Sequence, residues 1–435
     1  MSAVSRTVDR LETTFDHDGL VANAGLIVTA TLMSRLGIEA LINRHVRTGS
    51  ANPGRKLLTL VAAMLAGGTH IDHVDVLRAG ATGRVLPFVV AAPSTVGTFL
   101  RSFTFGHLRQ LDAVLARTLA RAWHLGAGPA AEALVIDLDS TICEVHGHQK
   151  QGAAYGYTRR LGYHPLLATR AGTGEILFSR MRKGSAGSGR GIVRFVDELV
   201  AVLIRAGATG PMTVRADSGF WSWKLIDRLN TNNIAWSITV TRQKRVLEAI
   251  AAIPEEAWVD IDYTIGGQAQ VAETIYTTVT RGKQRRVRLV VRRTRLTEPA
   301  QPKLWPDWRH HAFITNTTLN TIASDEFHRA HAVVELAIRD LKDGGLEHVP
   351  SGHFHANGAW LAAAVLAHNL NRWTTLLADQ APVNNRTLRT RITTLAAVLA
   401  NKSGRLTLRF PSRWPWTNVF TNMLAAIRAL PAPSG

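Results

Sequence analysis

Two apolar runs with aspartates set into them restrict the folds open to this chain more than any other feature: ALVIDLDSTI (Ala133–Ile142) and PMTVRADSGF (Pro211–Phe220). Short runs of this kind, bounded by turn residues, read as strands buried in a sheet. YHPLLATRAGTGEILFSRMR reads as two further strands around a turn at Gly172–Gly174. GIVRFVDELVAVLIRAG has the spacing of an amphipathic helix ending at Gly207, WSWKLIDRLNTNNI reads as another helix, and AWSITV as a strand. Strands followed by helix, strand, helix and strand predict an α/β fold, a mixed sheet with helices packed against it.

At 435 residues the chain has room for two or three domains. Residues 1–127 read as an N-terminal helical domain, in which GLIVTATLMSRLGIEALINRHV and KLLTLVAAMLAGGTHI repeat apolar residues at helical spacing. Ser94 or Thr95 is expected to cap a short helix carrying Arg101. With the segment His70–Leu77 that helix forms either a helix-turn-helix DNA-binding unit or an ordinary helical hairpin. Residues 128–380 read as the α/β domain, with an inserted β-subdomain at about 242–320 whose strands meet at Arg281-Gly282. SDEFHRAHAVVELAIRDLKD follows as one long helix ending near Gly344-Gly345, and GAWLAAAVLAHNLNRWTTLLA as another. The basic C-terminal region, 381–435, holds eight Lys and Arg and no acid.

Charge points to the partner. The net charge of +19 implies a polyanion, and nucleic acid fits better than a membrane because no long apolar span or basic amphipathic anchor is present. The uncharged stretch Val349–Asn371 is interrupted by His, Ser, Gly and Asn and reads as a loop and a buried helix. Charged residues come early at the N-terminus with no apolar signal segment after them, and the single Cys143 forms no internal disulfide, so a cytoplasmic, nucleoid-associated protein is expected. Cys143 and His146 with His148 lack a second ligand cluster at zinc spacing.

Against this basic background Asp139, Asp217 and Glu335 stand out. An unpaired carboxylate in an apolar strand is costly, and the cost is avoided by protonation, an ion pair or a metal. Acids from two strands and one helix form a hard-oxygen donor set for Mg²⁺, and two such ions ~4 Å apart cleave phosphodiesters. Equally, an Asp at a strand end is a common cap, and a Glu on a charged helix is commonly only solvated. Glu335 and Arg339 lie one turn apart on the helix and Lys342 lies two turns from Glu335, so acid and bases share a working face.

The order and spacing of several segments resemble a known family. DLDST (137–141) with HGHQKQGAAYGYTRRLGYHPLLA behind it, RADSGFWS (215–222), ITN (314–316) and VVELAIRDLKDGGLEHVPSGHFHANGAWLAAAVLAHNLNRW (333–373) resemble the DDE transposases of bacterial insertion sequences. The resemblance covers nearly the whole chain and is closest to the insertion-sequence family thirteen-eighty. It implies an RNase H-like catalytic domain enclosing a β-insertion, with Asp139, Asp217 and Glu335 as catalytic metal ligands. Asp139 is preferred to Asp137, on the same strand face, because the family's first acid precedes a Thr by two, as Asp139 precedes Thr141. The implied cofactor is Mg²⁺, with Mn²⁺ as a substitute. The implied partners are terminal inverted repeats and target DNA, cut and joined by a cut-and-paste mechanism in a homodimeric synaptic complex. Where the family carries Tyr, Arg, Glu and Lys on the third-acid helix, this chain has His328, His331, Glu335 and Lys342. The phosphate-holding positions are thus altered, with Arg329, His331, Arg339 and Lys342 as candidates to hold DNA. Trp305 and Trp308 are candidates to stack on a flipped base, and the strand RRVRLVVRR to contact phosphates. Two other readings stay open, a decayed copy that binds DNA without cutting and a structure-specific nuclease of the same fold.

Overall fold

The computed structural model describes residue 8 and residues 11–147, 149–156, 158–263, 267–280, 282–296 and 308–433. Five helices come first: α1 (Leu26–Arg35), α2 (Ile38–His45), α3 (Pro53–Leu65), α4 (Pro93–Arg101) and α5 (Phe105–Ala122). A nine-stranded sheet follows, built from β1 (Leu134–Ser140), β2 (Leu166–Arg170), β3 (Ile176–Arg180), β4 (Met212–Ala216), β5 (Ala235–Thr239), β6 (Val259–Ile261), β7 (Gly267–Thr280), β8 (Lys283–Leu296) and β9 (Arg309–Thr315). Helices α6 (Ile192–Ala206), α7 (Trp223–Thr231) and α8 (Lys244–Ala251) connect its strands, and α9 (Thr321–Arg329), α10 (Val334–Leu341) and α11 (Phe354–Leu377) follow it.

The spatial order is β6-β7-β8-β9-β5-β4-β1-β2-β3. β1, β4 and β5 run parallel, joined by helical crossovers, whereas β2 runs antiparallel to β1 and turns back into β3 through the tight turn read from Gly172–Gly174. Burial explains the apolar runs: Leu134, Ile136 and Leu138 of β1 are enclosed, as are Val214 and Ala216 of β4. β1 and β4 are in register from Leu134 opposite Met212 to Leu138 opposite Ala216. The next residues on the two strands, Asp139 and Asp217, therefore emerge side by side at the C-terminal edge, where neighbouring strands lie ~4.8 Å apart.

Five expectations are corrected. The segment read as an inserted β-subdomain is no separate body, because β9 pairs with β5 and carries β8, β7 and β6 outward as an extension of the central sheet. The long helix before Gly344 is broken: a 3₁₀ turn (Ala330–Val333) separates α9 from α10, which runs on into a π turn (Lys342–Leu346). The first helical pattern divides at Gly37, whose φ of 57° is left-handed and ends the α1 run. In the proposed helix-turn-helix, the first element (Ile71–Leu77) is a 3₁₀ segment, not an α-helix. Neither Ser94 nor Thr95 caps α4, which starts at Pro93 with Ala92 in the cap position.

One buried hydrophobic cluster runs from Leu26 in α1 through the strands of the sheet to Ile427. α11 is its axis, buried on all faces from Ala356 to Thr375 and touching α1, α3, α4, α5 and β3. The change of character near residue 127 is therefore a change of secondary structure without a break in the core. The basic C-terminal region also packs on this body. Its hairpin, Ala397–Lys402 with Arg405–Arg409, pairs with Leu20–Val21, and its last helix, Thr417–Ala429, lies on α1. Among the described residues no single helix is long and apolar enough to cross a membrane.

Candidate active site

Asp139 is the second-last residue of β1, largely enclosed, with Oδ1 accepting the Ser140 backbone N–H at 2.6 Å. Its carboxyl is pushed up to about 6, first by burial and then by the charges of Asp217 and Glu335; the Ser140 N–H and His331 oppose the rise. Three acids from separate elements thus share one electrostatic neighbourhood. Asp217 follows β4 and caps a 3₁₀ turn (Ser218–Phe220), its Oδ1 accepting the Gly219 N–H at 2.9 Å. Glu335 is exposed in the first turn of α10, where a helix N-terminus favours negative charge. The donors are hard carboxylate oxygens, the chemistry Mg²⁺ selects. Among the described residues, no three His, Cys, Asp or Glu side chains stand close enough together to hold an ion.

Asp137 has a different environment. It is 2% exposed and lies opposite Arg215 in the β1–β4 register. Arg215 grips it bidentately, Nε to Oδ1 at 2.7 Å and Nη2 to Oδ2 at 2.8 Å. His331 Nδ1 donates to Asp137 Oδ1 at 2.8 Å. With both oxygens taken, Asp137 is an internal counterion and Asp139 the acid left facing its neighbours. Arg215 escaped the sequence reading, although an arginine within an apolar strand requires a buried acid as partner.

The two histidines of the third-acid segment have separate duties. His331 holds Asp137 and lowers the Asp139 carboxyl. His328 lies against Phe313, ring centroids 4.0 Å apart, and contacts Ser237 Oγ and Thr239 Oγ1 at 2.8 and 2.9 Å. Burial pushes it down to about 3, so it remains a neutral fastener between α9 and β5. Lys342 Nζ donates to the Ile142 carbonyl at 3.0 Å, tying the helix to the chain just beyond Asp139. Arg339 is exposed, whereas Arg329 pairs with Asp325 at 2.9 Å.

Other DNA-contact candidates are also engaged. Trp308 is half-buried with the Arg293 and Arg295 guanidinium carbons each 4.6 Å from its ring centroid, and Trp305 lies outside the described residues. The strand RRVRLVVRR, expected to contact phosphate, directs four of its arginines to acids: Arg285 to Asp227, Arg288 to Glu273, Arg292 to Asp325 and Arg293 to Glu255.

A glycine- and serine-rich loop that the sequence reading passed over borders the acids. Arg182 is nine-tenths buried and gathers this loop, its Nε donating to His164 O and its Nη1 to Gly187 O, Ser188 O and Arg190 O. Ser188 Oγ then lies 3.2 Å from Ser140 Oγ, beside Asp139, and against Gly219, beside Asp217. The signal for it was the run RKGSAGSGRG itself, too rich in small residues for a strand or helix.

The family model described as the transposase DDE domain, group 1, matches residues 5–432. No curated protein matches the chain. Among solved structures, piggyBac transposase in a synaptic complex with hairpin DNA is similar, with a TM-score of 0.43 and 13% identity over 86% of this chain and 80% of that one. Since that family model takes in all but the extreme ends of the sequence, the chain belongs to the transposases with a group 1 DDE domain.

Proposed function

We propose that the protein is a cut-and-paste transposase of a bacterial insertion sequence, of the family thirteen-eighty, working as at least a dimer on two terminal repeats in the cytoplasm. The observation that carries the proposal is the parallel register of β1 with β4, which brings Asp139 and Asp217 out at adjacent strand ends, with Asp217 and Glu335 the charged neighbours of the raised Asp139 carboxyl. The strand order β3-β2-β1-β4-β5, with only β2 antiparallel to the strands on either side of it, supports an RNase H-like catalytic core. Asp139 and Asp217 lie at the carboxyl ends of adjacent parallel strands, the usual place for a ligand in such sheets.

In this reading Asp139, Asp217 and Glu335 would hold Mg²⁺, or Mn²⁺ in its place, once drawn together by the ion. Bound there, the metal would supply charge neutralisation and activation of the attacking oxygen. Its charge would favour the ionised form of Asp139 against the burial that raises that carboxyl. In the first step a water oxygen bonds to phosphorus and the bond to the 3′-oxygen breaks, leaving a 3′-hydroxyl and a 5′-phosphate. In the joining step that 3′-hydroxyl oxygen bonds to a target phosphorus in the same site while the bond to the target strand's 3′-oxygen breaks, leaving a target 3′-hydroxyl that takes up the proton. Lys342 and His331 set the strand and helix that carry the acids, and exposed Arg339 is placed to meet phosphate.

The test is a labelled terminal-repeat duplex incubated with protein and Mg²⁺, beside Asp217→Ala. Nicking at the element end by the parent and not by the variant, with equal binding by both, is the expected result. Binding without nicking by the parent overturns the proposal in favour of a decayed DNA-binding copy. Cutting of arbitrary flaps overturns it in favour of a nuclease.

The loop at Ser188 gives a second expectation. A Cβ at Gly219 would sit 2.9 Å from Ser188 Cβ and Oγ and 3.1 Å from Asp217 Oδ1. Gly219→Ala is therefore expected to displace Asp217 and slow single-turnover nicking on the order of 10²-fold. Adding Ser188→Gly removes one of the two clashes and is expected to recover part of the rate.

A further inference from the structure

An open cleft of about 870 Å³ lies between α1, the 3₁₀ turn Thr82–Val85, the hairpin strand Arg405–Arg409 and the helix Thr417–Ala429. Arg35, Arg84, Arg405 and Arg428 line it over an apolar floor that includes Phe410, and no acid is among its lining residues. Arg84, Arg405 and Arg428 are exposed, and Arg35 Nη2 donates to the Arg428 carbonyl at 2.6 Å. Among the described residues none of the four pairs with a carboxylate. The contrast with β8 is informative. There, four arginines are neutralised by acids within the fold. Here the C-terminal wall comes from a region without a single acid, so the guanidinium charge has no internal partner.

We propose that this cleft binds the phosphate backbone of duplex DNA away from the cleavage site. Guanidinium groups from four elements, none paired with an acid among the described residues, match a polyanion, and planar, weakly hydrated arginine is well suited to phosphate. A second copy of a chain with net charge +19 is a poorer occupant on charge alone. The cleft shares no residue with β1, β4 or α10, which lead to or carry the three acids. It therefore marks a second stretch of the DNA path. The inference rests on the chain's membership of a transposase family and on DNA as its substrate, not on the roles of the three acids.

The test titrates the full-length protein against a fluorescein-labelled 30-base-pair duplex of arbitrary sequence, at about 50–300 mM salt, where each phosphate contact adds ~0.9 to the log–log salt slope. The triple variant Arg84→Gln, Arg405→Gln, Arg428→Gln is compared with Arg117→Gln, Arg205→Gln, Lys244→Gln, which removes equal charge from exposed positions elsewhere. Melting curves confirm that both are folded. The cleft variant is expected to lose about 2–3 from the slope and at least tenfold in affinity, and the control set less than 1. Equal losses in the two sets overturn the proposal. So does an unchanged slope with a shift to smaller species on sedimentation, which would make the cleft an interface between copies. Wild-type protein that never nicks DNA but shows the slope difference would refute the catalytic reading and leave this one standing.

Discussion

Replacing Asp139 with Asn is expected to abolish strand cleavage and, at neutral pH without metal, to make the protein more stable. Burial and the charges of Asp217 and Glu335 raise this carboxyl to about 6 in the folded chain, against an ordinary value of 3.8. The folded state therefore binds the proton more tightly than the unfolded state does. Its contribution to stability is full below the ordinary value and is lost as pH rises through about 6. At pH 7 the ionised group costs on the order of 2–3 kcal/mol, which a neutral Asn avoids. In EDTA at pH 7 the variant should melt a few degrees higher, and the difference should shrink as pH falls from about 6 toward 4. Mg²⁺ should raise the wild-type melting temperature at pH 7 and not that of the variant. Nicking should fall by roughly 10³-fold or more, with duplex binding kept. An Asn variant that still nicks, or melts below wild type in EDTA, removes Asp139 from the site.

Much of this neighbourhood was legible in the order of residues, for a physical reason. Acids set into apolar strands have few acceptable fates, so Asp139 and Asp217 stood out as candidates, whereas the adjacency of their strands comes from the register of β1 with β4. The joining of β9 to β5 was not legible, because the edge on which a hairpin docks is a non-local choice that alternation does not encode. The fate of each arginine was equally hidden. The RRVRLVVRR strand looks like a phosphate-binding stripe until its cross-sheet and helical neighbours bring Asp227, Glu273, Asp325 and Glu255 to it. Arg405 and Arg428, unremarkable in sequence, stay unpaired because the acid-free C-terminal region folds back onto α1. The break between α9 and α10 was hidden too. His328 has to reach Ser237 and Thr239 while His331 reaches Asp137, and the 3₁₀ turn that follows His328 accompanies this division of contacts.

Asp137→Asn should behave in the opposite way to Asp139→Asn, two residues along the same strand. Asp137 is buried, receives two guanidinium hydrogen bonds from Arg215 and one from His331, and lies opposite Arg215 in the parallel register. Neutralising it leaves the buried Arg215 guanidinium without its counterion, and breaking such a pair from one side costs about 3–5 kcal/mol. Arg215 also holds the Phe327 carbonyl at 2.6 Å, so the loss extends to the end of α9. Urea denaturation should show the whole deficit in the midpoint, with little change in slope. Removing both charges together, Asp137→Leu with Arg215→Met, should recover much of that stability, because apolar replacements of a buried pair are often neutral. Nicking by the folded fraction of Asp137→Asn should fall far less than in Asp139→Asn, since Asp137 is tied up by Arg215 and His331 and its loss leaves the three acids proposed to hold metal in place. The two aspartates exchange roles if Asp137→Asn keeps wild-type stability and loses all cleavage while Asp139→Asn unfolds.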